Sequence, residues 1–225
     1  MTLILPAIAP LTAEPIARLH APEGRFGTFR DCLRWEFGFS CPLCLLHERD
    51  LITTGADGWA VVTIEHRYTQ SDHPERADEY VNCIYACRRC NTTRRSQSEM
   101  GVLNPMGAAW ADHFEWVADD LMPRDAEAVH TAEVFGLNDE QRRKMRERRR
   151  ETITLLRAHR TRVLEALSDS AFSDVGKALL SDTLAILETQ LREWSAIPSD
   201  APTACRCTQP CALPAHANAG LWELD

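Results

Sequence analysis

Two Cys-x-x-Cys pairs, Cys41 with Cys44 in CPLC and Cys87 with Cys90 in CRRCN, stand on either side of residues 45–86. Each pair turns the chain so that both sulfurs face one point, and two pairs place four thiolates at the corners of a tetrahedron, the geometry zinc prefers. Reduced core cysteines and a redox pair are the competing readings. Four protein ligands leave no open coordination position, so the zinc expected at Cys41, Cys44, Cys87 and Cys90 is structural. Chemistry must come from other side chains. Glu65 and His66 close the run VTIEH, Asn82 precedes the second pair, and Asn91 directly follows Cys90. A carboxylate and an amide oxygen are hard ligands that can hold magnesium or manganese while leaving positions for phosphate and water. A neighbouring imidazole can take the proton from that water while the cation steadies the leaving oxygen. These groups together suit metal-assisted phosphodiester cleavage.

The order CxxC, EH, N, CxxCN resembles the HNH endonuclease family in its zinc-supported form, whose core is the ββα-metal finger. The resemblance covers Cys41 to Asn91, and Phe26 to Phe39 is similar to the helix that often precedes the first knuckle. It implies that His66 is the general base, that Glu65 and Asn91 ligate a catalytic Mg2+ or Mn2+, and that Asn82 ties the connecting loop so that the histidine is held in place. Two positions depart from the pattern. Glu65 stands where Asp is commoner, and HRYTQS lacks the proline that commonly follows the histidine. LNPMGAAWADHFEWVADD also resembles a stretch that follows the motif in a subset of these nucleases. The implied activity is hydrolysis of phosphodiester bonds in DNA, in a setting such as restriction or antiphage defence. A non-catalytic zinc ribbon that binds nucleic acid or a protein partner is the alternative; it needs the cysteines but not Glu65, His66, Asn82 and Asn91 together.

The elements that must position these groups are legible from local pattern. Phe29, Cys32, Leu33 and Phe37 have the spacing of a short helix leading into CPLC. WAVVTIEH reads as a strand after the turn signal GADG, and YVNCIYACRRCN as a short strand or turn running into a helix. Beyond Gly101 the chain reads as helical. Asn138 is the expected N-cap of a long helix with Met145, Ile153, Leu156, Val163, Leu164 and Leu167 on one stripe. SDSAFSD breaks it, and a second helix carries Val175, Leu179, Leu180, Leu184, Leu187, Leu191 and Trp194 at near-heptad spacing, so an antiparallel hairpin is expected. The fold class is therefore α+β: a small ββα-metal core with a structural zinc site, then a mainly helical region. Its parts are an N-terminal arm (1–25), the core (26–100), a connecting segment (101–137), the hairpin (138–197) and a tail (198–225).

Composition sets the remaining bounds. At 225 residues, 44% hydrophobic and 26% charged, the chain can bury a substantial core, and no apolar run approaches a membrane span. The opening MTLILPAIAP has no basic stretch and is broken by prolines, so a cytoplasmic protein is expected. A net charge of −8 argues against a general nucleic-acid coat, yet RRCNTTRR and RRKMRERRR are concentrated basic tracts. Arg88, Arg89, Arg94 and Arg95 lie near enough to the motif to contact a phosphate backbone. Arg142 to Arg150 read equally as a solvated helix face or a nucleic-acid contact. Cys32 and Cys83 are expected to be packed, metal-free thiols, and His47, His73 and His113 surface or packing residues, with His73 on the loop that borders the site. Cys205, Cys207, Cys211 and His216 form a candidate second metal cluster. The helical hairpin is a candidate for self-association or for docking a protein partner.

Overall fold

The computed structural model describes residues 11–18, 20, 22–52, 62–94 and 101–195. The GADG turn, Arg95 and the tail with Cys205, Cys207, Cys211 and His216 lie outside the described residues, as does the side chain of Arg94. Phe29, Cys32, Leu33 and Phe37 are all buried, on or flanking helix α1 (Arg30–Glu36). Gly38 and Phe39 then take left-handed backbone, at φ 55° and 56°, and turn the chain sharply. A bridge between Ser40 and His47 closes the first knuckle into a compact loop. Helix α2 (Glu48–Ile52) follows, and its Glu48 takes a paired contact from Arg34 and a hydrogen bond from the Tyr85 hydroxyl.

Strands β1 (Val62–His66) and β2 (Cys83–Cys87) pair antiparallel, with His66 opposite Cys83 and Val62 opposite Cys87. Every residue of β2 is buried, as its apolar CIYAC sequence requires of a strand covered on both faces. Helix α3 (Arg88–Arg94) starts at the next residue and packs on both strands, while α1 packs on β2. Among the described residues from Leu11 to Arg25 the N-terminal arm has no regular structure, but Arg18 reaches inward to an ion pair with the buried Glu36 at 2.7 Å and donates to the carbonyls of Tyr80 and Cys83.

The segment after Gly101 is not wholly helical. One-turn helix α4 (Trp110–His113) runs into β3 (Phe114–Val117), which pairs antiparallel with β4 (Asp120–Pro123). The physical reason is local: in FEWV Phe114 is buried and Glu115 exposed, a period of two that four residues carry only faintly. Helix α5 (Ala126–Phe135) starts on an Asp125 cap and ends at Gly136, whose φ of 57° favours a residue without Cβ.

Helices α6 (Glu140–Ser168) and α7 (Asp174–Ser195) form the antiparallel hairpin, with Ile153, Leu187 and Leu191 buried along it and Arg160 paired to Glu188. Asp139, not Asn138, caps α6: its Oδ1 accepts from the Arg142 amide at 2.9 Å. Asn138 is drawn away because its amide forms a two-way clasp with the backbone of Leu121. Val175, Leu179 and Ile186 stay 73%, 64% and 60% exposed, so α7 is apolar on a face that α6 does not cover. The basic tract of α6 is neither wholly solvated nor wholly a surface patch. Arg142, Arg146 and Arg149 are 1%, 1% and 3% exposed and recur at helical spacing in phase with Ile153. Arg149 enters a buried ion pair with Asp50 at 2.8 Å, joining α6 to α2. Small antiparallel sheets with helices packed about them make the chain α+β, and among the described residues no helix is long and apolar enough to cross a membrane.

Candidate functional site

The two knuckles meet. The sulfurs of Cys41, Cys44, Cys87 and Cys90 all lie within 4.8 Å of one another, and those of Cys44 and Cys87 are 3.8 Å apart. Zinc–sulfur bonds of about 2.3 Å span a tetrahedron with an edge of roughly 3.8 Å, whereas a disulfide needs about 2.05 Å. The first knuckle is shaped by Leu45, at φ 60°, whose amide donates to the Cys41 carbonyl; in the second, the Cys90 amide donates to the Cys87 sulfur. All four cysteines are buried. Burial pushes the Cys41 thiol well above its ordinary value, while hydrogen bonds from Cys41, Cys87 and Cys90 pull Cys44 well below its own. Four thiolates packed this closely in a buried site repel one another, and a divalent cation is what lets all four ionise together. The donor set therefore fits a structural metal such as zinc. Cys32 and Cys83 are fully buried and outside this cluster, and burial pushes the Cys83 thiol up to about 12.

A second feature opens beside the strands. Glu65, His66 and Asn91 line a solvent-open cleft of about 570 Å³ together with Phe26, Arg30 and Gln70. His66, at the end of β1, is 8% exposed and meets the edge of the Phe26 ring at 4.9 Å between centroids. Its Nε2 lies 3.0 Å from the Ala77 carbonyl oxygen. A carbonyl only accepts, so this contact assigns the proton to Nε2 and leaves Nδ1 with a lone pair. The Gln70 side-chain amide stands 3.3 Å from the same Nε2, and with the proton there its oxygen rather than its nitrogen is the end that suits the contact. Burial holds the imidazole below its ordinary value, against the opposing pull of the Ala77 carbonyl and Asp78, which favours the neutral form that can accept a proton.

Asn82 is 1% exposed and does not line the cleft. Its Oδ1 accepts from the Tyr68 amide at 2.7 Å, and its Nδ2 donates to the carbonyls of Tyr68 and Arg76 at 3.1 and 3.0 Å. These bonds fasten the loop after β1, which carries Ala77, to the entry of β2. Asn91 sits one turn into α3, where its Nδ2 donates to the Thr63 hydroxyl at 2.7 Å and approaches the Ile64 carbonyl at 3.4 Å. That orientation leaves Oδ1 as the amide atom suited to a cation. The cleft thus brings Glu65, His66 and Asn91 together, with Asn82 behind the loop that seats the histidine.

The basic residues divide. Arg88 is exposed, while Arg89 is paired with Asp139 at 2.7 Å and bonded to Gln141. His47 is buried in the turn leading into α2, His73 meets Tyr68 and Glu75 away from the cleft lining, and His113 pairs with Asp125. Gln70 and Arg30 are cleft residues that sequence reasoning missed; nothing in their local pattern separates them from surface polar residues. Arg142, whose Nη2 lies 3.3 Å from the Cys90 sulfur, was also missed, and only its phase with the apolar stripe of α6 signals burial. No protein-family model, no curated protein and no solved structure matches the chain.

Proposed function

We propose that the chain is a metal-dependent endonuclease of the HNH type that hydrolyses phosphodiester bonds in DNA. The observation that carries this reading is the convergence of Glu65, His66 and Asn91 on one cleft beside the four-cysteine cluster. The succession of β1, β2 and α3 supports it, since a strand pair running directly into a helix is the arrangement the motif implies. Glu65 and Asn91 supply two hard oxygen donors and would hold magnesium or manganese. When bound, such an ion supplies Lewis-acid stabilisation of the leaving oxygen.

The chain's own residues account for the rest of the step. His66, with Nε2 committed to Ala77, presents Nδ1 to a water and takes its proton as the water attacks phosphorus. Asn82 keeps the Ala77 carbonyl in register with the imidazole by fastening the intervening loop. Arg88, exposed on α3, would meet the phosphate backbone, where sequence-independent affinity arises; Arg89 would have to leave Asp139 to do the same.

The test is cleavage of plasmid DNA by the full chain with magnesium or manganese, with zinc content measured on the same samples. Nicking or linearisation that depends on the added ion is expected. Glu65→Ala and Asn91→Ala should raise the manganese needed for half-maximal cleavage. A zinc-loaded protein that binds plasmid but leaves it intact under every divalent ion would reassign the module to nucleic-acid binding without catalysis.

A further inference from the structure

Arg142 is a guanidinium buried to 1% exposure on the first turn of α6, far in sequence from the cysteines it faces. Its Nη2 lies 3.3 Å from the Cys90 sulfur, and among the described residues its Nη1 has no hydrogen-bond partner. The Asp139 carboxylate, which also pairs with Arg89, stands 3.6 Å from its Nε. A buried cation beside four neutral thiols would be poorly compensated, and four thiolates on a divalent ion carry two net negative charges that would be equally so. Each arrangement is costly alone and relieves the other. We propose that Arg142 is a positioning residue of the metal centre, its guanidinium compensating the zinc-bound thiolates and joining the long helix α6 to the second knuckle. This rests on the reading of the four cysteines as a zinc site.

One further contact deepens the inference. The same turn is clamped from both sides, because Asp139 caps α6 and also pairs with Arg89, one residue before Cys90. Residues 139–142 and 87–90 therefore form one charge-linked unit, in which the hairpin's first turn serves as the outer shell of the metal. Outer-shell partners of this kind raise ligand affinity by orienting and neutralising the donor atoms.

The experiment is zinc competition with a chromophoric chelator on the full chain and on Arg142→Gln, Arg142→Lys and Arg149→Gln. Arg142→Gln keeps donors but removes the charge, and zinc binding is expected to weaken about 10–100-fold. Arg142→Lys keeps a cation on the same turn and should stay closer to the parent than to the glutamine variant. Arg149→Gln removes a buried cation from the same helix face, paired with Asp50 rather than sulfur, and should lower thermal stability with zinc affinity kept. Should Arg142→Gln fail to fold, recovery of helical signal at raised zinc becomes the readout, and a chain still unfolded at saturating zinc overturns the inference. Parental zinc affinity in Arg142→Gln, or an equal loss in Arg149→Gln or Arg142→Lys, also overturns it. A parent that holds no zinc removes the metal reading first and this inference with it.

Discussion

The Nε2 of His66 and the carbonyl oxygen of Ala77 lie 3.0 Å apart, a contact that fixes which ring nitrogen of the histidine is free. His66→Gln is expected to lower plasmid cleavage about 10²–10⁴-fold, the scale of general-base loss, with zinc content kept. Glutamine is the better probe than alanine because His66 is buried against Phe26, and truncation would remove packing as well as the base. A glutamine variant with parental cleavage, free of contaminating nuclease, would exclude His66 as the base.

Asn82 acts on the same histidine at one remove. Asn82→Ala deletes one accepted and two donated hydrogen bonds to the loop backbone and should cost about 1–3 kcal/mol of stability. Asn82→Asp keeps the bond from the Tyr68 amide but turns an acceptor toward two carbonyls, so it should be at least as damaging. Urea unfolding measures the stability, and limited proteolysis should show earlier cutting between residues 67 and 80. Unchanged proteolysis would mean that the loop is held by other contacts.

Ala118 turns the hairpin between β3 and β4 with φ 53° while exposed to solvent. Left-handed backbone disfavours any residue with Cβ, so Ala118→Gly should stabilise the protein by about 1 kcal/mol, or roughly 2–4 °C in Tm for a chain of this size. Calorimetry of the two proteins at equal zinc loading checks it. A lower Tm would show that the turn is not left-handed in solution.

Cys83 reports on burial through its chemistry. Burial pushes its thiol up to about 12, with Arg18 opposing and Asp78 assisting. The folded state therefore holds this proton more tightly than the unfolded chain, and the associated stability is present below the ordinary value of 9.0 and lost as pH rises toward 12. Near pH 8 the thiolate is about one part in 10⁴, so Cys83 should resist iodoacetamide in native protein and react fully after denaturation. Peptide mapping by mass spectrometry separates it from the other cysteines. Rapid native labelling of Cys83 would contradict its placement.

Local pattern determined the parts of this molecule that depend on near neighbours in the chain. The CPLC and CRRCN spacings announce two knuckles because a metal-binding turn needs only a few consecutive residues, and VTIEH carries enough β-branched side chains to read as a strand, while CIYAC reads as a short strand or turn that the fold resolves as a strand. The long stripes of α6 and α7 repeat often enough for periodicity to be unmistakable, whereas the strands at Phe114–Val117 and Asp120–Pro123 are too short to display theirs. The cap moved from Asn138 to Asp139 because both are good capping residues and Leu121, distant in sequence, occupies the first. Tertiary structure alone decided the fate of the arginines. Arg142, Arg146 and Arg149 read as a charged face because a guanidinium is assigned to water by default, and only the fold supplies a sulfur cluster, backbone carbonyls and the Asp50 carboxylate as buried partners. It likewise decided that Glu65, His66 and Asn91 share a cleft, since the pairing of β1 with β2 and the packing of α3 on both are contacts between segments that the sequence keeps apart.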